Sequence, residues 1–312
     1  MKQSVYKRFI TILVGLMLAN CQQNSAVKPI IAPNIPTRPV DHTMGISQVP
    51  VAPQRIVVLD TTPLDAVLAL GIDPVGTISY GMPPGYLGER ASDIQIIGQF
   101  NQPNLEAILK LKPDLILGAK SISERLYPRL SRIAPTVFIE GAGRSWDWKN
   151  NFRIYADALN KIEQAEQLIT DYEKQLSDLQ NSLTSSPNNQ TVSVVLNGPF
   201  GFISHTPKSF SGSILKEIGF QRNAIQANDE QFFIRLSRED LEGPEGDILF
   251  LIHYPNTTSK EEFMTDRLWS KLDVVQRDAV CEVQGEIWAA GRSILAAHQI
   301  LNDVQTCLGQ LK

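Results

Sequence analysis

The stretch Lys161 to Leu183, KIEQAEQLITDYEKQLSDLQNSL, constrains this chain most, because it reads as one amphipathic helix set between two similarly built halves. Ile162, Ala165, Leu168, Ile169, Tyr172, Leu176, Leu179 and Leu183 fall three or four apart and draw one apolar stripe. At a 1.5 Å rise per residue the helix runs about 34 Å, enough to join two units rather than close one strand crossover. The alternative is a surface helix of one large domain. A loose internal repeat argues against it. Asn104-Leu105-Glu106 through Pro113-Asp114-Leu115-Ile116-Leu117 is echoed by Ser237-Arg238-Glu239 through Gly246-Asp247-Ile248-Leu249-Phe250, and Leu126 to Ile139 by Leu268 to Val283.

With 312 residues and 43% hydrophobic content the chain can bury a large core, and chains beyond about 250 residues tend to divide. Short β-branched runs such as Arg55 to Asp60 and Asp114 to Leu117 alternate with helix starts at Thr61-Thr62-Pro63 and Asn104. The expected fold class is therefore α/β: two lobes with mostly parallel sheets, at 53–160 and 185–312, joined by one long helix at 161–184. A net charge of -4 without basic runs leaves no electrostatic footprint for nucleic acid.

The N-terminus carries Lys2, Lys7 and Arg8, then the apolar run Phe9 to Leu18, too short to span a bilayer but suited to an export signal. Residues 1–21 resemble a lipoprotein signal in which Cys21 is lipidated, although Asn20 replaces the small residue usual before that cysteine, so ordinary cleavage or an uncleaved anchor stays open. Residues 22–52, rich in Pro, Asn, Gln and Ser, read as a flexible tether. The expected location is the cell envelope or periplasm, with a lipid anchor to the membrane. Export permits a disulfide between Cys281 and Cys307; two buried thiols acting as small apolar groups are the alternative.

No nucleophile with a base, phosphate-binding glycine loop or Cys-x-x-Cys pair is evident, so an enzyme, for example a cell-envelope hydrolase, is disfavoured. His42, His205, His253 and His298 are scattered, which argues against a direct metal site. The strand ends, where open α/β sheets bind ligands, instead offer aromatic and polar residues. They are Thr61, Tyr80, Tyr86, Phe100, Asn101, Lys120, Arg144 and Trp146 in the first half. In the second they are Phe200, Phe202, His205, His253, Tyr254, Trp288 and Arg292. Guanidinium groups suit carboxylates because they donate in bidentate fashion.

Several segments, in order and spacing, resemble the iron–siderophore periplasmic binding proteins of ABC importers, and among them the ferric dicitrate binders. They include Ile97-Gly98 through Gln102-Pro103-Asn104-Leu105-Glu106, Lys112-Pro113-Asp114, His205-Thr206 through Gly212-Ser213-Ile214-Leu215, His253-Tyr254, and Trp288 through Arg292. The resemblance covers about Pro53 to Leu308. It implies two α/β lobes on a long helix, a ferric chelate bound between them without chemistry or cofactor, a monomer, and delivery to a dimeric ABC permease. Glu106 and Glu239 match the family's docking glutamates, and Arg292 matches an anion-binding arginine. Phe100 stands where citrate and hydroxamate binders often carry an arginine, so an aromatic or less charged chelate becomes an option. Cobalamin and haem are the alternatives on this fold.

Overall fold

The computed structural model describes residues 35–79, 85–100, 102–183, 190–198, 201–227, 230–237, 245–254, 257 and 259–311, and opens with an antiparallel hairpin of β1 (Thr37–His42) and β2 (Gly45–Pro50). This corrects the expectation of a tether running to residue 52. Val40 and Val49 are fully buried, and the hairpin lies along an edge strand of the first sheet. Thr43 N donates to Phe138 O at 3.0 Å, Ser47 Oγ to Thr136 O at 2.8 Å, and Phe138 N to His42 Nδ1 at 3.3 Å. Few apolar side chains suffice because much of the attachment satisfies an otherwise open sheet edge. Cys21 lies outside the described residues.

The first sheet contains β3 (Ile56–Val58), β4 (Gly76–Ser79), β5 (Ile96–Gln99), β6 (Gln102–Pro103), β7 (Leu115–Ala119) and β8 (Thr136–Ile139). Their order is β6-β5-β4-β3-β7-β8, parallel except for β6. Its helices are α1 (Thr61–Ala69), α2 (Glu89–Ser92), α3 (Leu105–Lys110), α4 (Lys120–Ser123), α5 (Tyr127–Leu130) and α6 (Trp148–Ala158). Asp60 caps α1 and Asn104 caps α3 through their side chains. Asn160, at φ 55, turns the chain from α6 into α7 (Ile162–Ser182) in the left-handed conformation that asparagine tolerates.

The second sheet contains β9 (Thr191–Gly198), β10 (Gly201–His205), β11 (Gln221–Arg222), β12 (Phe233–Leu236), β13 (Ile248–His253) and β14 (Val280–Gln284). The order is β12-β10-β9-β13-β14, with β11 beside the start of β9. Its helices are α8 (Phe210–Ile218), α9 (Lys260–Thr265), α10 (Asp273–Gln276), α11 (Gly285–Trp288) and α12 (Ile294–Gln310). A disulfide joins Cys281 on β14 to Cys307 on α12.

Alternation along the strands sends side chains to opposite faces of each sheet. Ile56, Val58, Phe250 and Ile252 enter one cluster that takes in both sheets and α1, α6, α7, α8 and α12. Val57 packs instead with Ile108 and Leu130, and Leu249 and Leu251 with Phe263 and Trp269. The two halves thus share one core, and α7 buries Ala165, Ile169, Tyr172 and Leu179 in it. The repeated aspartates explain the echo in sequence. Asp114 accepts from Gln54 N at 2.8 Å and Arg55 N at 2.9 Å, and Asp247 from Thr191 N at 2.7 Å, so each ties down the start of a neighbouring strand.

Candidate functional site

The carboxyl ends of the parallel strands of the two halves meet. Thr61 Oγ1, at the start of α1 after β3, donates to Ala290 O after α11 at 2.7 Å. Gly85 N donates to Glu286 Oε2 at 2.9 Å. On another side, Lys208 Nζ lies 4.8 Å from the centre of the Trp146 ring, a cation–π contact between the halves.

Arg292 stands at φ +62, a left-handed conformation costly for a residue with a Cβ and found where structure is over-determined. Its charge acts on both His205 and Tyr254. His205 ends β10 with Nδ1 3.0 Å from Ser211 Oγ, and its carbonyl accepts from Arg222 Nη2. Burial, reinforced by Arg222 and Arg292, pushes its pKa down to about 3, so the imidazole is neutral. Tyr254 donates to Gly285 O at 2.8 Å and its pKa is raised, chiefly by burial. A Cβ at Gly285 would come within 2.2 Å of the Tyr254 ring, so only glycine admits this approach. His253 is half-buried beside Thr257 Oγ1 at 3.4 Å.

Among the described residues, no carboxylate lies within ion-pair distance of Lys208, Arg222 or Arg292. Burial pushes Arg222 down to about 9, and its Nε and Nη1 are buried without hydrogen-bond partners. A buried guanidinium left in this state is costly unless an anion completes it. Arg222 escaped the sequence reading because nothing in Gly219-Phe220-Gln221-Arg222 marks it. Lys208 could have been found, since it lies inside the segment running from His205 to Leu215.

The other candidates divide. Phe100, 40% exposed, and Trp146, 37% exposed, offer open aromatic surface on the first half. Lys120 faces Glu140 at 3.6 Å. Two candidates are corrected to core residues. Trp288 is fully buried, stacked on Phe250 at 4.7 Å with Nε1 bonded to Asp303, because α11 turns its ring inward. Phe202 points to the face of its strand that packs on Trp269, 4.2 Å between centroids. Tyr86 and Thr61 have spent their hydroxyls, Tyr86 on Asp65 within the first half and Thr61 on Ala290 across the junction, so neither offers a free donor. Glu106 is exposed in the first turn of α3. Tyr80, Asn101, Phe200 and Glu239 lie outside the described residues, as does the Arg144 side chain, whose backbone belongs to the 3-10 turn Ala142–Asp147.

Two grooves lie elsewhere. One of about 590 Å³ runs past Tyr86, Lys260, Glu282 and Asp303, and one of about 570 Å³ past Pro53, Ile72 and Lys161. Neither has His205, Arg292 or Trp146 in its wall, so neither matches the chemistry of the junction. Among the described residues no three of His, Cys, Asp and Glu gather to hold a metal ion. Neutral imidazole, uncompensated cations and aromatic surface suit an anionic, partly apolar ligand.

A family model described as periplasmic binding protein matches residues 56–286. The probable siderophore-binding lipoprotein YfiY of Bacillus subtilis is 35% identical over 324 residues, covering 98% of this chain and 98% of that protein. The Fe(3+)-citrate-binding protein YfmC of the same organism is 31% identical, covering 86% of this chain and 85% of its own length. Staphylococcus aureus SirA, solved in complex with staphyloferrin B, has a TM-score of 0.75 at 27% identity over 88% of this chain and 99% of that one. A family match over most of the chain and a relative aligned along nearly all of it converge with the two-sheet architecture: the chain belongs to the periplasmic binding protein family.

Proposed function

We propose that the protein is the substrate-binding component of an ABC importer, capturing an anionic ferric chelate of the siderophore or ferric citrate type at the junction of its halves. The observation that carries this reading is the set Lys208, Arg222 and Arg292, cations without carboxylate partners among the described residues, of which Arg222 and Arg292 act on His205 and Lys208 lies over Trp146. Relatives named for siderophore and Fe(3+)-citrate binding, and a structural neighbour holding staphyloferrin B, support it. Phe100 supplies aromatic surface on the first half, while the cations without carboxylate partners among the described residues named above lie on the second. The protein binds without catalysing a reaction and needs no cofactor of its own. It acts as a monomer in the cell envelope, held to the membrane through lipidated Cys21.

Tryptophan fluorescence titrations with ferric citrate, ferric staphyloferrin B, a neutral ferric hydroxamate, haem and cobalamin test the reading. Tight binding of the anionic ferric chelates is expected, weakened by about 2 to 4 kcal/mol in Arg292→Ala. Binding of haem or cobalamin alone refutes it.

Delivery to the permease is assigned to Glu106 and Glu239, one carboxylate from each repeat. The alternative role, favouring the helix dipole, is worth only about 0.3 to 1 kcal/mol each. Glu106→Ala/Glu239→Ala is expected to bind chelate normally and to lose uptake in cells; normal uptake removes both from the docking surface.

A further inference from the structure

Arg292 is the residue on which the proposed function leans, and its unusual backbone raises the question of what holds it. The turn from Ala290 to Ala296 belongs to the second half, yet two side chains of the first half grip it at both ends. Thr61 Oγ1 donates to Ala290 O at 2.7 Å, two residues before the arginine. Asp65 Oδ1 accepts from Leu295 N and Oδ2 from Ala296 N, each at 3.0 Å, three and four residues after it. Thr61 and Asp65 are four apart on α1 and so lie on one face of that helix.

Asp65 does for α12 what the helix's own N-cap does not. Ser293 has the extended backbone of an N-cap but makes no side-chain bond to the first N–H groups of the helix. Asp65 is fully buried, and a carboxyl group in that position is held by the donors that surround it. Tyr86 adds a third, its hydroxyl donating at 3.2 Å. Within the gripped turn, Gly291 leaves no room for adjustment: a Cβ there would stand 2.3 Å from that of Ala296 and 2.6 Å from Ile287 O.

Building on the reading of Arg292 as an anion contact, we infer that Thr61 and Asp65 are positioning residues that hold the arginine in its left-handed conformation, so affinity for anionic chelates is set across the junction between the halves. A purely structural joint would predict something different. Loss of a joint lowers thermal stability and affects every ligand, whereas loss of a positioning residue costs the anionic ligand alone and only while the arginine is present.

The test is a double-mutant cycle on the full chain, with ferric citrate and a neutral ferric hydroxamate as probes and melting temperature recorded throughout. Thr61→Val and Asp65→Asn are each expected to weaken ferric citrate binding about tenfold, the loss that accompanies one misplaced charge-assisted hydrogen bond. Hydroxamate binding stays as in the parent, and neither change weakens citrate binding further once Arg292→Ala is present. Should Asp65→Asn fail to fold, Thr61→Val, which removes only the hydroxyl, still decides the matter. Citrate losses that add to that of Arg292→Ala, or parent affinity in Thr61→Val and Asp65→Asn while Arg292→Ala binds weakly, overturn the positioning role alone. Parent affinity in Arg292→Ala overturns the reading beneath it as well.

Discussion

At neutral pH His205 carries no charge, because burial and then the fields of Arg222 and Arg292 hold its pKa near 3. Asp65 is displaced the other way: burial raises it from 3.8 to about 7 despite the N–H groups that Leu295 and Ala296 donate to it. The unfolded chain takes up a proton at histidine below 6.5 that folded His205 refuses, so this stability is present above pH 6.5 and lost as pH falls toward 3. Folded Asp65 keeps a proton that the unfolded chain releases near 3.8, so its contribution is complete below that value and lost as pH rises to about 7. Three pH units correspond to roughly 4 kcal/mol at full titration. The two slopes oppose each other between about pH 4 and 6.5. Relative to the parent, stability of Asp65→Asn is expected to rise more steeply with pH across this window, and that of His205→Gln to rise less steeply or fall. Urea midpoints at several pH values measure both slopes, and the comparison with the parent cancels His42, His298 and Asp303, whose shifts are shared. Slopes that change in the same direction contradict the assignment. At this scale the sequence was only partly legible. Arg292 could be found because its segment has a recognisable spacing, but an aromatic residue near a strand end reads the same whether its ring faces ligand or core, which is why Trp288 misled. Asp65 gave no signal at all, since the backbone groups it serves lie 230 residues away along the chain.

Elements were legible where burial on both faces forces a continuous apolar run. Ile56–Val58, Leu115–Ala119 and the first five residues of Ile248–His253 are buried throughout, as the central strands of a covered parallel sheet must be. Capping residues located helix starts equally well, with Asn104 accepting from Glu106 N and Ala107 N. The hairpin Thr37–Pro50 was missed for a physical reason. It attaches by completing the hydrogen bonds of β8, through the Thr43 N–H and the side chains of Ser47 and His42, and three such bonds leave little trace in composition. Between β7 and β8 the chain forms not one helix but α4, the 3-10 turn Glu124–Leu126 and α5. Tyr127 and Pro128 fall at that break, and the proline supplies no N–H to continue the helical ladder. Cysteine spacing alone left disulfide and thiols equally open; the fold brings Cys281 and Cys307 together by laying α12 along β14.

For the whole molecule, the decisive feature is that the core does not stop at the boundary between the halves. Trp148 of the first half stands edge-on to Tyr172 of α7 at 4.9 Å and to Phe210 of the second half at 6.0 Å. Lys149 Nζ lies 3.4 Å from both Glu173 on α7 and Glu217 on α8. A long helix between two repeats suggested a strut with separate lobes at its ends. The helix does join the two halves, and it does so by packing along α6, α8 and α12 as part of the core, which leaves it poorly suited to act as a hinge. Separating the halves would part the Trp148 and Phe210 rings, each worth about 1.5 to 3 kcal/mol when buried, against a typical net stability of about 5 to 15 kcal/mol. Neither half is therefore expected to hold its structure alone, and the chain should unfold in one cooperative transition. Coincident melting curves from tryptophan fluorescence and far-ultraviolet circular dichroism, with equal calorimetric and van't Hoff enthalpies, are the expected result. Two resolved transitions, or a stably folded fragment of residues 37–160 or 185–312, would show that the shared core is incidental and that the halves are domains in their own right.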